Sequence, residues 1–191
     1  MQPLVVDRDG IAPVGLRGVV VPVDVDRLVP AMLKLSYPRS EEDLEADVLA
    51  AWNGQGAVRL LDRDGHAQAK LLERLDDRRL FDVKSAEDAL TVCGALARDL
   101  AVASPPRGIP RLSEFAGTWV EELPRLARQT GYSDPPRVIA AAVATCRDFG
   151  SPQPDSLLHG DLHGRNVLAS DRAPWLAIDP KAWSARWPSN A

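Results

Sequence analysis

The spacing of apolar residues changes twice along this chain of 191 residues. Residues 1–30 hold short apolar runs such as Val19-Val20-Val21, broken by Pro and Gly, and these predict strands and turns. Ala31–Leu35 predicts a further strand that ends before Pro38. Ser40 followed three residues later by Asp43 has the form of a capping box. Leu44, Val48, Ala51 and Trp52 then recur at helical spacing, with Gly54 as the stop. Residues 57–62 and 67–75 predict two strands around an Asp64-Gly65 turn. The first stretch is therefore mostly β with one helix.

The middle of the chain reads as helical. Ser85 opens a helix with Leu90, Cys93, Leu96, Ala97 and Leu100 on one face, and Pro105-Pro106 end it. A second helix starts near Ser113, and Pro124 is expected to kink or split it. Asp134-Pro135 supplies an N-cap and a first helical residue for a third, with Ile139, Val143 and Cys146 inward and Gly150 as the stop. Beyond it the pattern becomes short strands again: Leu157–His159, Asn166–Ala169 and Pro174–Asp179, separated by polar turns. No repeat or low-complexity tract interrupts this order.

Composition narrows the class only a little. Apolar residues make up 45% and charged residues 26%, as in ordinary globular proteins. A net charge of -4 gives no reason to expect a nucleic acid or an anionic membrane as partner. With no secretory leader pattern and no apolar run near 18 residues, a cytoplasmic location is expected. The two cysteines, Cys93 and Cys146, are not at metal-ligand spacing and read as buried free thiols.

The chemistry concentrates in His159-Gly-Asp161-Leu-His163-Gly-Arg165-Asn166, a polar cluster between two apolar strands. Two of the three histidines fall there. The spacing H-x-D-x4-N matches the catalytic loop of kinases, in which the Asp takes the acceptor hydroxyl's proton and the Asn holds magnesium. An amide oxygen is a hard, neutral ligand suited to Mg²⁺. Asp179, at the end of the returning strand, can add a second carboxylate to metal and phosphates. Two other readings stay open. The cluster could be a polar turn whose side chains satisfy backbone groups. It could also be a metal site of a hydrolase built from His159, Asp161 and His163, although His66 is the only histidine left to complete the sphere.

A phosphate-binding cation is also needed. Lys34 lies in an apolar strand, where an unpaired ammonium would be costly. Glu45, on the helical face that carries Val48, Leu49 and Trp52, can pair with it as kinases pair a strand lysine with a helix glutamate. The competing reading is an edge-strand lysine in solvent. Leu71-Leu72-Glu73-Arg74-Leu75 ends the last strand of this lobe, where the hinge of kinase-like folds meets adenine through its backbone.

Taken together, the sequence resembles the aminoglycoside phosphotransferase superfamily, and within it the streptomycin 6-kinase and hydroxyurea phosphotransferase group. The resemblance runs from about Gly15 to Lys181. It is carried by Leu33–Pro38, Trp52–Leu61, Leu72–Leu75, Leu158–Leu168 and Ile178-Asp179-Pro180-Lys181. It implies an α+β, protein-kinase-like two-lobed fold, with residues 1–75 as a nucleotide-binding β-rich lobe and 76–191 as a partial helical lobe. It further implies ATP and Mg²⁺ as cofactors and a hydroxyl of a small polar molecule as acceptor. Asp161 would be the catalytic base and Asn166 and Asp179 the metal ligands. Lys34, Glu45, Glu73 and Leu75 would serve the nucleotide. Gly15 and Gly18 are the candidates for a phosphate-covering loop. Residues 182–191 do not resemble the family's continuation, so a truncated, incomplete helical lobe is expected. The alternative is a kinase-like remnant that at most binds nucleotide. The acceptor and the oligomeric state cannot be read.

Overall fold

A computed structural model describes residues 5–6, 18–26, 29–36, 44–101, 104–130, 136–149, 155–181 and 183–186. Five strands form one antiparallel sheet in the order β1-β2-β3-β5-β4. They are β1 (Val5–Val6), β2 (Gly18–Val25), β3 (Val29–Ser36), β4 (Leu60–Asp64) and β5 (Ala69–Glu73). The expected strand 31–35 is thus the middle of a longer one. It lies third of five, which removes the edge-strand reading of Lys34. Gly18 is paired with Ser36 inside β2 rather than placed in a loop. A Cβ there would sit 2.2 Å from the Leu35 carbonyl oxygen, so the close strand approach itself demands glycine. Gly15, Ser40–Asp43, Asp134-Pro135 and Gly150 lie outside the described residues.

Helix α1 (Leu44–Trp52) packs Val48, Leu49 and Trp52 into the principal core. That core also takes Val58 and Leu72 from the β-rich part and Leu100, Ile109, Leu157 and Ala177 from farther along the chain. Trp52 Nε1 donates to the Leu100 carbonyl at 2.9 Å, so the indole is satisfied while buried.

The β4–β5 hairpin differs from expectation at both ends. Ala57 and Val58 are not part of β4, because the backbone there pairs with Ala177. Val58 N donates to Ala177 O at 2.9 Å and Ala177 N to Gly56 O at 3.0 Å. The turn is longer than an Asp-Gly pair because Asp64 Oδ1 accepts from both His66 N and Ala67 N and closes a wider loop.

The helical part contains α2 (Leu80–Val83), α3 (Ala86–Leu100), α4 (Leu112–Gln129) and α5 (Pro136–Phe149). Ser85 caps α3 by accepting from Asp88 N at 3.1 Å, as its sequence predicts. Leu96 and Leu100 are buried, but Leu90 is 74% exposed. Its neighbour Ala89 packs on the core, and successive helical residues point roughly 100° apart. Pro124 does not split α4, which runs unbroken through it. The loss there is one intrahelical bond, at the Val120 carbonyl. The single-turn α2 was not expected, since one turn has too few residues to show a period. It nevertheless carries the fully buried Leu80, which packs with Leu96 and Val167.

Strand β6 (Asp155–Leu158) pairs with β9 (Trp183–Arg186), so four residues of the segment without an expected structure form a strand. A short 3-10 turn (Gly164–Asn166) leads into β7 (Val167–Leu168), which returns through β8 (Leu176–Ala177). This hairpin is tied to the loop after α1 by the Ala57–Ala177 bridge, and both alanines are fully buried. Among the described residues, no helix is long and apolar enough to cross a membrane.

Replacing Trp52 with Phe keeps most of the apolar packing but orphans the buried Leu100 carbonyl. The expected cost is about 1–3 kcal/mol of unfolding free energy, read by chemical denaturation.

Candidate active site

Lys34 is buried in β3, and a buried ammonium must be paired. Its Nζ lies 2.7 Å from Glu45 Oε1 on α1 and 2.6 Å from Asp179 Oδ1 just beyond β8. Burial alone would lower its pKa. The two carboxylates outweigh that and hold it above the ordinary lysine value. Lys34, Glu45 and Asp179 therefore meet at one charge; the pairing of Lys34 with Glu45 was expected from sequence, and the contact with Asp179 was not.

A second buried lysine joins them. Lys70 on β5 is directly across the ladder from Lys34 and is 1% exposed. Its Nζ lies 3.1 Å from Glu45 Oε2 and donates to Ser36 Oγ at 3.0 Å. Glu45 thus bridges two ammoniums with its two oxygens. Sequence reasoning missed Lys70, because only the strand register reveals that it faces Lys34.

The polar loop is organised by His159. Its ring is buried and stacked on Trp52, with centroids 6.0 Å apart. Nε2 faces the Ile178 carbonyl at 2.9 Å, and Nδ1 accepts from Asp161 N at 3.3 Å. A neutral imidazole with the proton on Nε2 satisfies both. Its own carbonyl accepts from Lys181 N at 2.8 Å. One residue thereby holds the loop of Asp161 against the segment of Asp179. Burial pushes its pKa down to about 4, although the Ile178 carbonyl, Asp161 and Asp179 all favour the cation.

Asp161 is partly exposed, and its Oδ2 lies 2.6 Å from Lys181 Nζ. The hydrogen bond from that ammonium lowers the pKa of the carboxyl below its usual value, against a smaller opposing effect of burial. His163 Nε2 is 3.7 Å from the other oxygen, and His163 Nδ1 caps the 3-10 turn by accepting from Arg165 N. Asn166 Nδ2 donates to the Asp161 carbonyl at 3.0 Å. Since a carbonyl only accepts, this bond fixes the amide's orientation and assigns its other atom as an oxygen acceptor. Asp179 has left-handed backbone (φ 57°), a conformation Asp tolerates better than most residues. Its side chain is half-exposed. Asn166 oxygen and Asp179 carboxylate are hard donors that fit Mg²⁺, an ion that keeps water and phosphate oxygens in the rest of its shell. Both ring nitrogens of His159 are engaged, one facing the Ile178 carbonyl and the other accepting from Asp161 N, which disfavours His159 as a ligand in the hydrolase reading.

Glu73 and Leu75 fall at a different point. The Glu73 carboxylate accepts from Arg59 N at 2.7 Å and from Arg172 Nε, the latter through both oxygens, at 3.0 and 3.1 Å. Arg172 also donates to the Gly54 and Ala57 carbonyls at 2.7 and 2.6 Å. Leu75 packs against the principal core. Arg172, in the β7–β8 loop, was not expected from sequence. An arginine in a polar loop carries no signal until its partners are known.

The profile of the aminoglycoside/hydroxyurea antibiotic resistance kinases matches residues 5–185. The chain belongs to this family. It is 41% identical over 177 residues to streptomycin 6-kinase of Streptomyces glaucescens, an alignment covering 91% of the chain and 57% of that protein. To hydroxyurea phosphotransferase of Kitasatospora aureofaciens it is 38% identical over 170 residues, covering 87% of the chain and 50% of the relative. The chain thus spans about half the length of these relatives. Among solved structures, macrolide 2'-phosphotransferase of Brachybacterium faecium superposes with a TM-score of 0.60 at 18% identity, covering 96% of this chain and 67% of that one. A spectinomycin phosphotransferase in complex with ADP and spectinomycin gives 0.57 at 14% identity, covering 96% and 64%. These two likenesses establish the kinase-like α+β fold. The antibiotic-kinase match extends past Lys181 into β9, which the sequence motifs alone did not reach.

Two measurements probe this kinase-family site. Glu45→Gln leaves two buried ammoniums without their shared carboxylate and is expected to destabilise the fold by about 3–5 kcal/mol in denaturant titration. His159 binds a proton more readily unfolded, near 6.5, than folded, near 4. Its contribution is therefore complete above pH 6.5 and lost as pH falls towards 4. The difference in unfolding free energy between wild type and His159→Gln should shrink by roughly 3 kcal/mol from pH 7 to pH 4. A flat difference would contradict this placement of the imidazole.

Proposed function

We propose that this chain is an ATP- and Mg²⁺-dependent phosphotransferase acting on a hydroxyl of a small polar molecule, such as streptomycin or hydroxyurea. The observation that supports it most is the meeting of Lys34, Glu45 and Asp179 at one point, beside a loop that presents Asp161. Membership of the antibiotic kinase family agrees with that geometry, as do relatives named streptomycin 6-kinase and hydroxyurea phosphotransferase.

In this reading Lys34 exchanges Asp179 for ATP phosphate oxygens, while Glu45 keeps the ammonium in place. Asn166 and Asp179 hold magnesium, which neutralises phosphate charge when bound. The backbone at Glu73 and Leu75 meets the adenine, and the pairing of the Glu73 carboxylate with Arg172 fixes that strand end. Asp161 accepts the proton of the acceptor hydroxyl. The acceptor oxygen forms a bond to the γ-phosphorus, and the bond from that phosphorus to the β–γ bridging oxygen breaks. Its electron pair leaves with ADP.

The test is ATP turnover by the 191-residue chain with Mg²⁺ and streptomycin or hydroxyurea in turn. Asp161→Asn should lower kcat about 100-fold or more with little change in the KM for ATP. Turnover that survives this substitution unchanged would refute the assignment. If Mg-ATP raises the melting temperature but neither acceptor is phosphorylated, the chain binds nucleotide without transfer to these acceptors.

A further inference from the structure

Lys181 touches the carboxylate of Asp161 and has no part in the chemistry proposed so far. We propose that Lys181 is a further catalytic residue, an ammonium that binds the γ-phosphoryl oxygens during transfer. The inference rests on the phosphotransferase reading. Its basis is the position of Nζ, 2.6 Å from Asp161 Oδ2. A carboxylate that takes the acceptor's proton lies against the acceptor oxygen, and that oxygen must stand in line with the γ-phosphorus. An ammonium touching the same carboxylate is then within a side-chain rotation of the equatorial oxygens of the group being transferred.

Three features favour this over a purely structural ion pair. Both side chains are partly exposed, at 37% for Lys181 and 28% for Asp161, and pairs in such surroundings contribute at most about 1 kcal/mol to stability. The backbone of Lys181 is fixed by its N–H to the His159 carbonyl at 2.8 Å, so the stem is anchored while the flexible end points at the reaction centre. An ammonium also has three donors and engages Asp161 with one, which suits it to bridge a carboxylate and a phosphoryl group at once. Lys34 is paired with Glu45 and Asp179, whereas Lys181 is paired with Asp161. The two lysines divide the triphosphate between them, with Lys181 at the transferring end.

During transfer, as the acceptor oxygen bonds to phosphorus and the bridging oxygen leaves with its electron pair, negative charge is spread over the equatorial oxygens. Lys181 neutralises it without gaining or losing a proton. The prediction separates ATP from ADP. The affinity of wild type, Lys181→Met and Lys181→Arg for Mg-ADP and for a Mg-bound non-hydrolysable ATP analogue would be measured by titration calorimetry. Circular dichroism and melting would confirm that each variant is folded. Lys181→Met should lose about tenfold or more in affinity for the analogue while ADP binding stays within about twofold. Lys181→Arg should retain most of the preference for the analogue. A folded Lys181→Met protein with an unchanged analogue-to-ADP ratio overturns the assignment, as does an equal loss for both nucleotides. Wild-type protein that binds neither nucleotide overturns the phosphotransferase reading itself, and the Lys181 role with it.

Discussion

Everything in the site follows from placing the Lys34 ammonium inside a sheet. A buried unpaired charge is prohibitive, so the fold must bring carboxylates to it. Glu45 arrives on α1, whose opposite obligation is to bury Val48, Leu49 and Trp52 in the core. Asp179 arrives from 145 residues away, at the exit of β8. One charge thus couples the sheet, the helix and the returning hairpin. It also explains why the molecule tolerates a left-handed backbone at Asp179, where a carboxylate must stand half-exposed yet within reach of the lysine.

The β7–β8 hairpin is held in that position by uncharged means as well. Ala57 and Ala177 form a bridge in which both are fully buried, and Ala177 exchanges backbone hydrogen bonds with Gly56 and Val58 on either side of Ala57. Arg172 adds a guanidinium that satisfies the Gly54 and Ala57 carbonyls and the Glu73 carboxylate together. His159, stacked on Trp52, fastens the other side of the hairpin to the loop of Asp161. The residues proposed to meet nucleotide, metal and acceptor are therefore set on elements whose relative position is fixed by buried contacts, as a preorganised site requires.

Much of this was legible in the sequence because the signals were local. The H-x-D-x4-N spacing, the capping Ser85 and the helical face of Glu45 each lie within one element. Lys34 was legible because an apolar strand makes its charge conspicuous. The misses share a cause, which is dependence on long-range register. Lys70 matters only because β3 and β5 align it with Lys34, and Arg172 only because its loop reaches the segment after α1. Residues 57–59 read as strand because their apolar pattern is that of a strand. Ala57 and Val58 instead pair with Ala177, 120 residues from Ala57, and only Arg59 bonds the neighbouring β5. Leu90 was misplaced by a smaller error, a helical face drawn one residue too wide.

In the phosphotransferase reading proposed above, the second buried lysine bears on how the site would respond to a nucleotide. Among the contacts described, Lys34 and Lys70 bring two ammoniums together with the carboxylates of Glu45 and Asp179. In that reading Asp179 would turn from Lys34 towards a metal, and an anion would have to take its place or a buried positive charge would be left uncompensated. A phosphate oxygen meets that requirement and a neutral ligand does not. Lys70 sharpens the selection, because it holds the second oxygen of Glu45 and prevents that carboxylate from turning fully to Lys34 as a substitute. On that proposal one carboxylate is exchanged for one phosphate, and the cost of burying Lys34 is offset in both states.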